Sequence, residues 1–136
     1  MKLFKILSHP YTLIICFSLI LISGEQWGGF YAFYLLLALP YGGVHSLLAL
    51  AGFFSLLVSL HWVKNHLVLQ QVLNVVGLFF LISSLYYFFD NDKSHYNLGT
   101  FQEPVSLASI IITICVSICF LIGTFVTPAR NKVIML

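Results

Sequence analysis

Residues 27–62 read WGGFYAFYLLLALPYGGVHSLLALAGFFSLLVSLHW and contain no Asp, Glu, Lys or Arg. An uncharged stretch of this length is typical of a membrane-embedded chain, because about 20 apolar residues cross the hydrocarbon core as a helix. The stretch is interrupted at Pro40–Gly43 by Pro-Tyr-Gly-Gly, which favours a break between helices. Residues 44–62 are long enough to span, whereas residues 30–39 make only about 15 Å of helix. The sequence therefore predicts a spanning helix after the break and a short helix before it.

The rest of the chain repeats this pattern of apolar stretches separated by polar gaps. Of its 136 residues, 60% are hydrophobic and 7% are charged, and the mean hydropathy is +1.02. Soluble domains carry about 25% charged residues, so this chain has too few polar side chains for a water-facing surface. The predicted spans cover residues 4–23, 44–62, 67–89 and 105–126. Pro10 lies either in the first turn of the first span or at the start of a helix capped by Ser8 or His9.

These features predict an all-α membrane protein with a single integral membrane domain. Its core is a bundle of four transmembrane helices, joined by one short re-entrant or interfacial helix at residues 29–39 on the outer side. The aromatic residues of this short helix, such as Tyr31 and Tyr34, suit the boundary between headgroups and hydrocarbon. A continuous kinked helix through residues 29–62 is the alternative.

The charged residues occupy the gaps in an order that favours one orientation. With four crossings, five of the six positively charged residues share one side of the membrane, and these are Lys2, Lys5, Lys64, Arg130 and Lys132. Only Lys93 falls on the other side, whereas a fifth crossing would divide the six evenly. The positive-inside rule prefers four crossings. We therefore expect both termini in the cytoplasm, and we take the bacterial inner membrane as the hypothetical location.

Small and hydroxyl side chains recur at helical spacing within the predicted spans. Helices in lipid pack through small residues and interhelical hydrogen bonds, because lipid gives no hydrophobic drive between them. The predicted packing residues are Ala49, Gly52, Ser55, Ser59, Ser109, Thr113 and Ser117. They either join the helices of this chain or line a cavity or a docking surface for other subunits. The cysteines, which are Cys16, Cys115 and Cys119, lack metal-ligand spacing and are interpreted as small apolar packing residues.

The weak candidates for cofactor binding are His9, His45, His61, Gln70 and Asn74. Axial haem ligation needs two facing histidines at similar depth, which His9 with His61, or His45 with His95, would satisfy. Histidines at a membrane boundary more often contact headgroups or water. Gln70, Gln71 and Asn74 either hydrogen-bond a quinone or bond across to serines of the second span. No metal site is predicted, because no cysteine or carboxylate joins the histidines at ligand spacing.

The sequence contains no catalytic motif, so no enzyme activity is predicted. No Asp or Glu falls within a predicted span, which argues against a proton-coupled exporter. The positive residues are dispersed, which argues against nucleic acid as a partner. Our hypothesis is a small accessory or structural subunit of a larger membrane protein complex, respiratory or transport-related, that contacts the lipid bilayer and other integral membrane subunits. The alternatives are a small homo-oligomeric channel or transporter, and a haem- or quinone-binding electron-transfer protein.

Overall fold

The chain is mostly helical, with one small sheet. The structure is a computed structural model that describes residues 2–24, 28–63, 66–91 and 96–133. The helices are α1 (Lys2–Leu7), α2 (Pro10–Ser18), α3 (Tyr31–Ala38), α4 (Val44–His61), α5 (Leu67–Asp90) and α6 (Pro104–Val133). The remaining elements are the strands β1 (Leu21–Ser23) and β2 (Gly28–Phe30), and the 3-10 turns Leu39–Tyr41 and Tyr96–Phe101.

Three of these helices are long and apolar enough to cross a membrane. They are α4, α5 and the Pro104–Val126 part of α6, with mean hydropathies of 1.7, 2.0 and 2.8. Each begins within about two residues of a predicted span, the error expected for boundaries read from sequence. The structure therefore agrees with the predicted membrane class and with three of the four predicted helical spans.

The helix predicted over residues 4–23 is divided in the structure. α1 ends at Leu7, and α2 begins at Pro10, which has no N–H to donate but suits the first position of a new helix. His9 is the N-cap, and its Nδ1 accepts a hydrogen bond from the backbone N–H of Tyr11 at 3.3 Å. α2 ends at Ser18, after which the chain becomes extended. A single spanning helix at this place is thus replaced by two helices and a strand.

The extended segment pairs with the residues that precede α3. β1 and β2 are antiparallel, with Leu21 opposite Phe30 and Ser23 opposite Gly28. The backbone N–H of Tyr31 continues this pairing by donating to the carbonyl of Ile20 at 2.7 Å. This small sheet, formed by two strands that lie close together in the sequence, departs from the all-α class that the sequence predicts.

The break predicted at Pro40–Gly43 is present at that place. α3 runs into the Leu39–Tyr41 turn, and Gly42 then adopts φ +66°, a left-handed conformation that glycine reaches without steric cost. Gly43 occupies the N-cap position of α4. The short predicted helix at residues 29–39 corresponds to α3 together with this turn.

The bundle is organised around an antiparallel pair, α4 and α5. Gly52 of α4 lies against Gly77 of α5, so closely that a Cβ on Gly52 would come within 2.9 Å of the Gly77 carbonyl oxygen. α6 runs antiparallel to α5, and α2 packs against both α4 and α6. We call the end that holds Gly43 and Asp90 the Asp90 end, and the opposite end, which holds Trp62, the Trp62 end.

Candidate functional site

Polar side chains of α4, α5 and α6 meet in a cluster toward the Trp62 end. The amide of Asn74 lies at its centre: its oxygen accepts a hydrogen bond from the Ser59 hydroxyl at 2.5 Å, and its nitrogen donates to the Thr124 hydroxyl at 3.4 Å. Ser55 donates to the carbonyl of Leu73 at 2.8 Å. Asn74 and both serines are buried. We call Ser55, Ser59, Asn74 and Thr124 the Asn74 cluster.

Two glutamines of α5 flank the Asn74 cluster. Gln71 donates from Nε2 to the backbone carbonyl of Thr124 at 3.2 Å, and the backbone carbonyl of Gln70 accepts from Ser59 at 3.3 Å. The sequence proposed Gln70, Gln71 and Asn74 either as quinone ligands or as partners of the serines in α4. In the structure Asn74 bonds to Ser59 of α4, and both Asn74 and Gln71 bond to Thr124 of α6, a partner that the sequence did not identify.

A second polar cluster joins α3 to α4 and α5 at the Asp90 end. The Tyr31 hydroxyl donates to the backbone carbonyl of Ser84 at 3.1 Å and lies 2.9 Å from the Ser84 Oγ. The Ser84 hydroxyl donates in turn to the carbonyl of His45 at 2.6 Å, and Ser46 donates to the carbonyl of Leu35 at 3.0 Å. Tyr31, Ser84 and Ser46 are fully buried. We call these three residues the Tyr31 cluster.

Tyr31, whose aromatic character suits the membrane boundary, has its side chain buried among the helices of the chain. Its ring packs edge-on against Phe17 and Phe88, at centroid distances of 5.4 and 5.1 Å. Burial raises the pKa of the Tyr31 phenol well above its usual value, so the group remains a neutral hydrogen-bond donor. Its role is to hold α3 against the bundle.

Hydroxyl groups at the Asp90 end of α6 bind the backbone of the first segment. The Ser109 hydroxyl accepts a hydrogen bond from the backbone N–H of Leu21 at 2.9 Å. Thr113 donates to the carbonyl of Cys16 at 3.3 Å. Beside them, Thr100 accepts from the backbone N–H of Ser23 at 3.0 Å. These contacts satisfy backbone polar groups in the last turn of α2 and in the extended residues after it.

Ser117 was grouped with Ser109 and Thr113 on the α6 packing face, but its contact is different. Its hydroxyl donates to the carbonyl of Thr113 in its own helix at 2.7 Å. The hydroxyls of Ser109 and Thr113 each donate within α6 as well, to Ser106 and Ser109 carbonyls, while also contacting the first segment. Of these three hydroxyls, those of Ser109 and Thr113 therefore contact the first segment, Ser109 at β1 and Thr113 at α2.

His9 and His61, one of the histidine pairs proposed for haem, both contact Tyr11. The Tyr11 hydroxyl lies 2.7 Å from His61 Nε2, and the His9 ring stacks on the Tyr11 ring at a centroid distance of 5.4 Å. The His45 ring packs edge-on against Phe88 at 5.4 Å. His95 lies outside the described residues. Among those residues, no group of three or more His, Cys, Asp or Glu side chains is arranged to hold a metal ion.

A groove runs between α5 and α6, with α2 forming its floor. It contains a cavity of about 350 Å³, whose lining is apolar apart from Thr113 and Ser117. The floor of this cavity is formed by Leu13, Phe17 and Ile20. A second cavity of about 450 Å³ continues toward the Asp90 end and shares with the first the side chains of Ile82, Leu85 and Ile110. Tyr86, Asp90 and Phe101 line its outer part.

The outward surface of α6 includes a face of small side chains. Ala108 and Cys115 are exposed, and Cys119 is half-exposed. At 100° per residue these positions lie on the side of α6 away from the groove residues Ile110, Ile114 and Ser117. The cysteines were interpreted as packing residues, and here Cys115 has an outward-facing thiol.

The buried polar groups of this protein are used in contacts within the chain. In the part of the chain that the structure describes, each buried side-chain nitrogen or oxygen has a hydrogen-bond partner. Such an arrangement stabilises a helical packing geometry and leaves no polar group aimed at an empty site. No known protein family, curated protein or solved structure matches this chain.

Proposed function

We propose that this chain is a structural subunit of a larger integral membrane assembly, in which it holds the helices of other subunits in place. The proposal rests on where the polar and apolar side chains lie: the buried polar groups bond to each other within the chain, and apolar side chains cover most of the outside. The Asn74 cluster and the Tyr31 cluster are bonded internally, and the exposed surface along the middle of α4, α5 and α6 consists mainly of apolar and small side chains. Surfaces of this kind bind other membrane helices by close packing rather than by chemistry at a reactive group.

The small face of α6 is the part of this surface proposed to contact a partner helix. Helices in membranes associate where small residues let two backbones approach. Ala108 and Cys115 provide such small exposed positions on α6. The channel alternative is supported less, because the two cavities of the groove are lined mainly by apolar side chains.

The proposal includes four crossings of the membrane, the fourth being made by the divided first segment. Ser8 lies against Gly123 of α6, and Ser23 lies against Ser106. The interval between those α6 residues is about 25 Å of helix, close to the 30 Å of a hydrocarbon core. α2 covers part of this depth, and the extended residues after Ser18 cover the rest with a larger rise per residue.

In this arrangement α3 is proposed to be a re-entrant helix at the Asp90 end. Because α3 and its turn are too short to cross, the chain enters and leaves on the same side of the membrane. The proposed orientation has both termini in the cytoplasm of a bacterium, with the protein in the inner membrane. It is supported by the positive charges, which are concentrated near the two termini and in the α4–α5 loop.

The test is purification of the tagged native protein in a gentle detergent, followed by native gel electrophoresis and mass spectrometry of what co-migrates. We expect other integral membrane proteins in fixed stoichiometry. Cys115→Trp should release them by blocking the small face, whereas Phe54→Trp, at an exposed position of α4, should retain them. A wild-type chain that purifies alone as a stable monomer would overturn the proposal.

A further inference from the structure

We propose that the groove between α5 and α6 binds a phospholipid of the leaflet at the Asp90 end, with one acyl chain in the groove and an ammonium headgroup, as in phosphatidylethanolamine, beside Asp90. The inference requires membrane insertion but does not depend on the presence of partner subunits. It follows from the apolar walls of the groove, from its length, and from the carboxylate of Asp90 at its outer end.

The walls of the groove present hydrocarbon. Leu78, Leu81 and Ile82 of α5 face Ile114 and Ile118 of α6 across it. The two hydroxyl residues in the lining add little polarity, because Thr113 and Ser117 donate to backbone carbonyls. The surrounding bilayer is itself hydrocarbon, so an acyl chain fills the groove without losing contact with any polar group.

The length of the groove matches one leaflet. From Leu78 to Asp90, α5 rises about 18 Å, compared with about 15 Å for half of a hydrocarbon core. The two cavities share Ile82, Leu85 and Ile110 and so form one continuous groove over this length, along which an extended acyl chain can lie.

The mouth of the groove lies at the depth of the headgroups. Tyr86 and Asp90 line its outer part, and both side chains are exposed. The Asp90 carboxylate attracts a positively charged group of a lipid headgroup and repels a negatively charged one. The ammonium of an ethanolamine headgroup supplies the matching positive charge. It can reach hydrogen-bond distance of the Asp90 carboxylate while an acyl chain of the same lipid lies in the groove.

The test is lipid retention after reconstitution of the full chain with an equal mixture of dipalmitoyl phosphatidylethanolamine and phosphatidylglycerol. After extraction in detergent, native mass spectrometry should detect one phosphatidylethanolamine per chain. Ile118→Trp, which fills the groove, should lower this retention about tenfold, equivalent to about 1.4 kcal/mol of binding free energy. Ile112→Trp is the matched control on the outward side of α6 and should retain the lipid.

The headgroup is tested separately with Asp90→Asn, which should abolish the preference for phosphatidylethanolamine while the groove still holds an acyl chain. Circular dichroism and size-exclusion chromatography establish that each variant is folded. The proposal is overturned if wild-type protein retains no lipid or prefers phosphatidylglycerol. It is overturned equally if an isoprenoid quinone from native membranes replaces the phospholipid, or if both tryptophan variants lose the lipid alike.

Discussion

The contact between Gly52 and Gly77 shows how single residues set the distance between α4 and α5. A Cβ on Gly52 would meet the Gly77 carbonyl at 2.9 Å and the Leu81 side chain at 2.8 Å. A leucine side chain can shift, but a backbone carbonyl in a helix moves only if the helix moves. Gly52 is therefore required by the close approach of α5. It is not favoured by α4 itself, because glycine lowers the stability of a helix interior.

Gly52→Ala is expected to lower the stability of the protein in detergent by about 1–2 kcal/mol. Separating two packed helices costs about 1–3 kcal/mol, of which the better helix propensity of alanine recovers up to about 1. The measurement is the free energy of unfolding from denaturant titration in micelles. The control is Gly29→Ala, whose new Cβ would have only ordinary contacts, the nearest at 3.9 Å from Tyr34. Equal effects of the two changes would contradict this account of the helix contact.

At the residue scale, the sequence predicted best where the cause is local. The break at Pro40–Gly43 was predicted correctly, because proline and glycine restrict or permit backbone angles regardless of the rest of the chain. The burial of Tyr31 was not predicted, because it depends on contacts with Phe17 and Ser84, which the fold brings together from other elements. Aromatic character alone does not distinguish a boundary residue from a core residue.

The first segment illustrates the same limit at the scale of an element. Its apolar composition over residues 4–23 predicted one helix, and the start of α2 at Pro10 was readable as an alternative. The extended residues after Ser18 were not readable from the segment itself. They are stabilised by Ser109 of α6 and Thr100 of the second 3-10 turn, which accept hydrogen bonds from the strand. Backbone at membrane depth leaves the helix only where such partners exist.

Ser109→Ala should destabilise the β1 strand because the backbone N–H of Leu21 would lose its partner. Leaving a buried donor unsatisfied costs about 1–3 kcal/mol. Ser117→Ala is the matched control: its hydroxyl bonds only to a carbonyl of its own helix, so the change should cost less than about 0.5 kcal/mol. Hydrogen exchange at the Leu21 amide should accelerate in the first variant and stay unchanged in the second. Unchanged exchange in both would mean that the Ser109 contact does not hold the strand.

At the scale of the whole molecule, the internal contacts divide into two layers. Near the Trp62 end, the Asn74 cluster joins the three long helices. Near the Asp90 end, the Tyr31 cluster and the hydroxyls of α6 attach the short helix and the extended first segment to them. The long helices follow from hydropathy and were therefore predictable. The attached pieces depend on hydrogen bonds between residues far apart in sequence, and hydropathy carries no information about those.

The proposed topology of the whole molecule depends on the number of times the chain crosses the membrane. The side of the membrane on which the N-terminus lies distinguishes four crossings from three. If α4 crosses the membrane, Tyr41 and Trp62 lie on opposite sides of it, whichever way the protein is inserted. If the first segment crosses alongside α6, Leu3 lies on the side of Trp62. If the segment stays at one surface, Leu3 lies on the side of Tyr41. All three positions have exposed side chains.

We therefore predict the labelling of single cysteines at these positions, Leu3→Cys, Tyr41→Cys and Trp62→Cys, in a background without the native cysteines. With a membrane-impermeant maleimide, Tyr41→Cys should react in intact cells, whereas Leu3→Cys and Trp62→Cys should react only after the cells are permeabilised. Reaction of Leu3→Cys together with Tyr41→Cys would reduce the count to three crossings. Complete reversal of the pattern would retain four crossings but invert the orientation, because the comparison of Leu3→Cys with Trp62→Cys does not depend on which side is cytoplasmic.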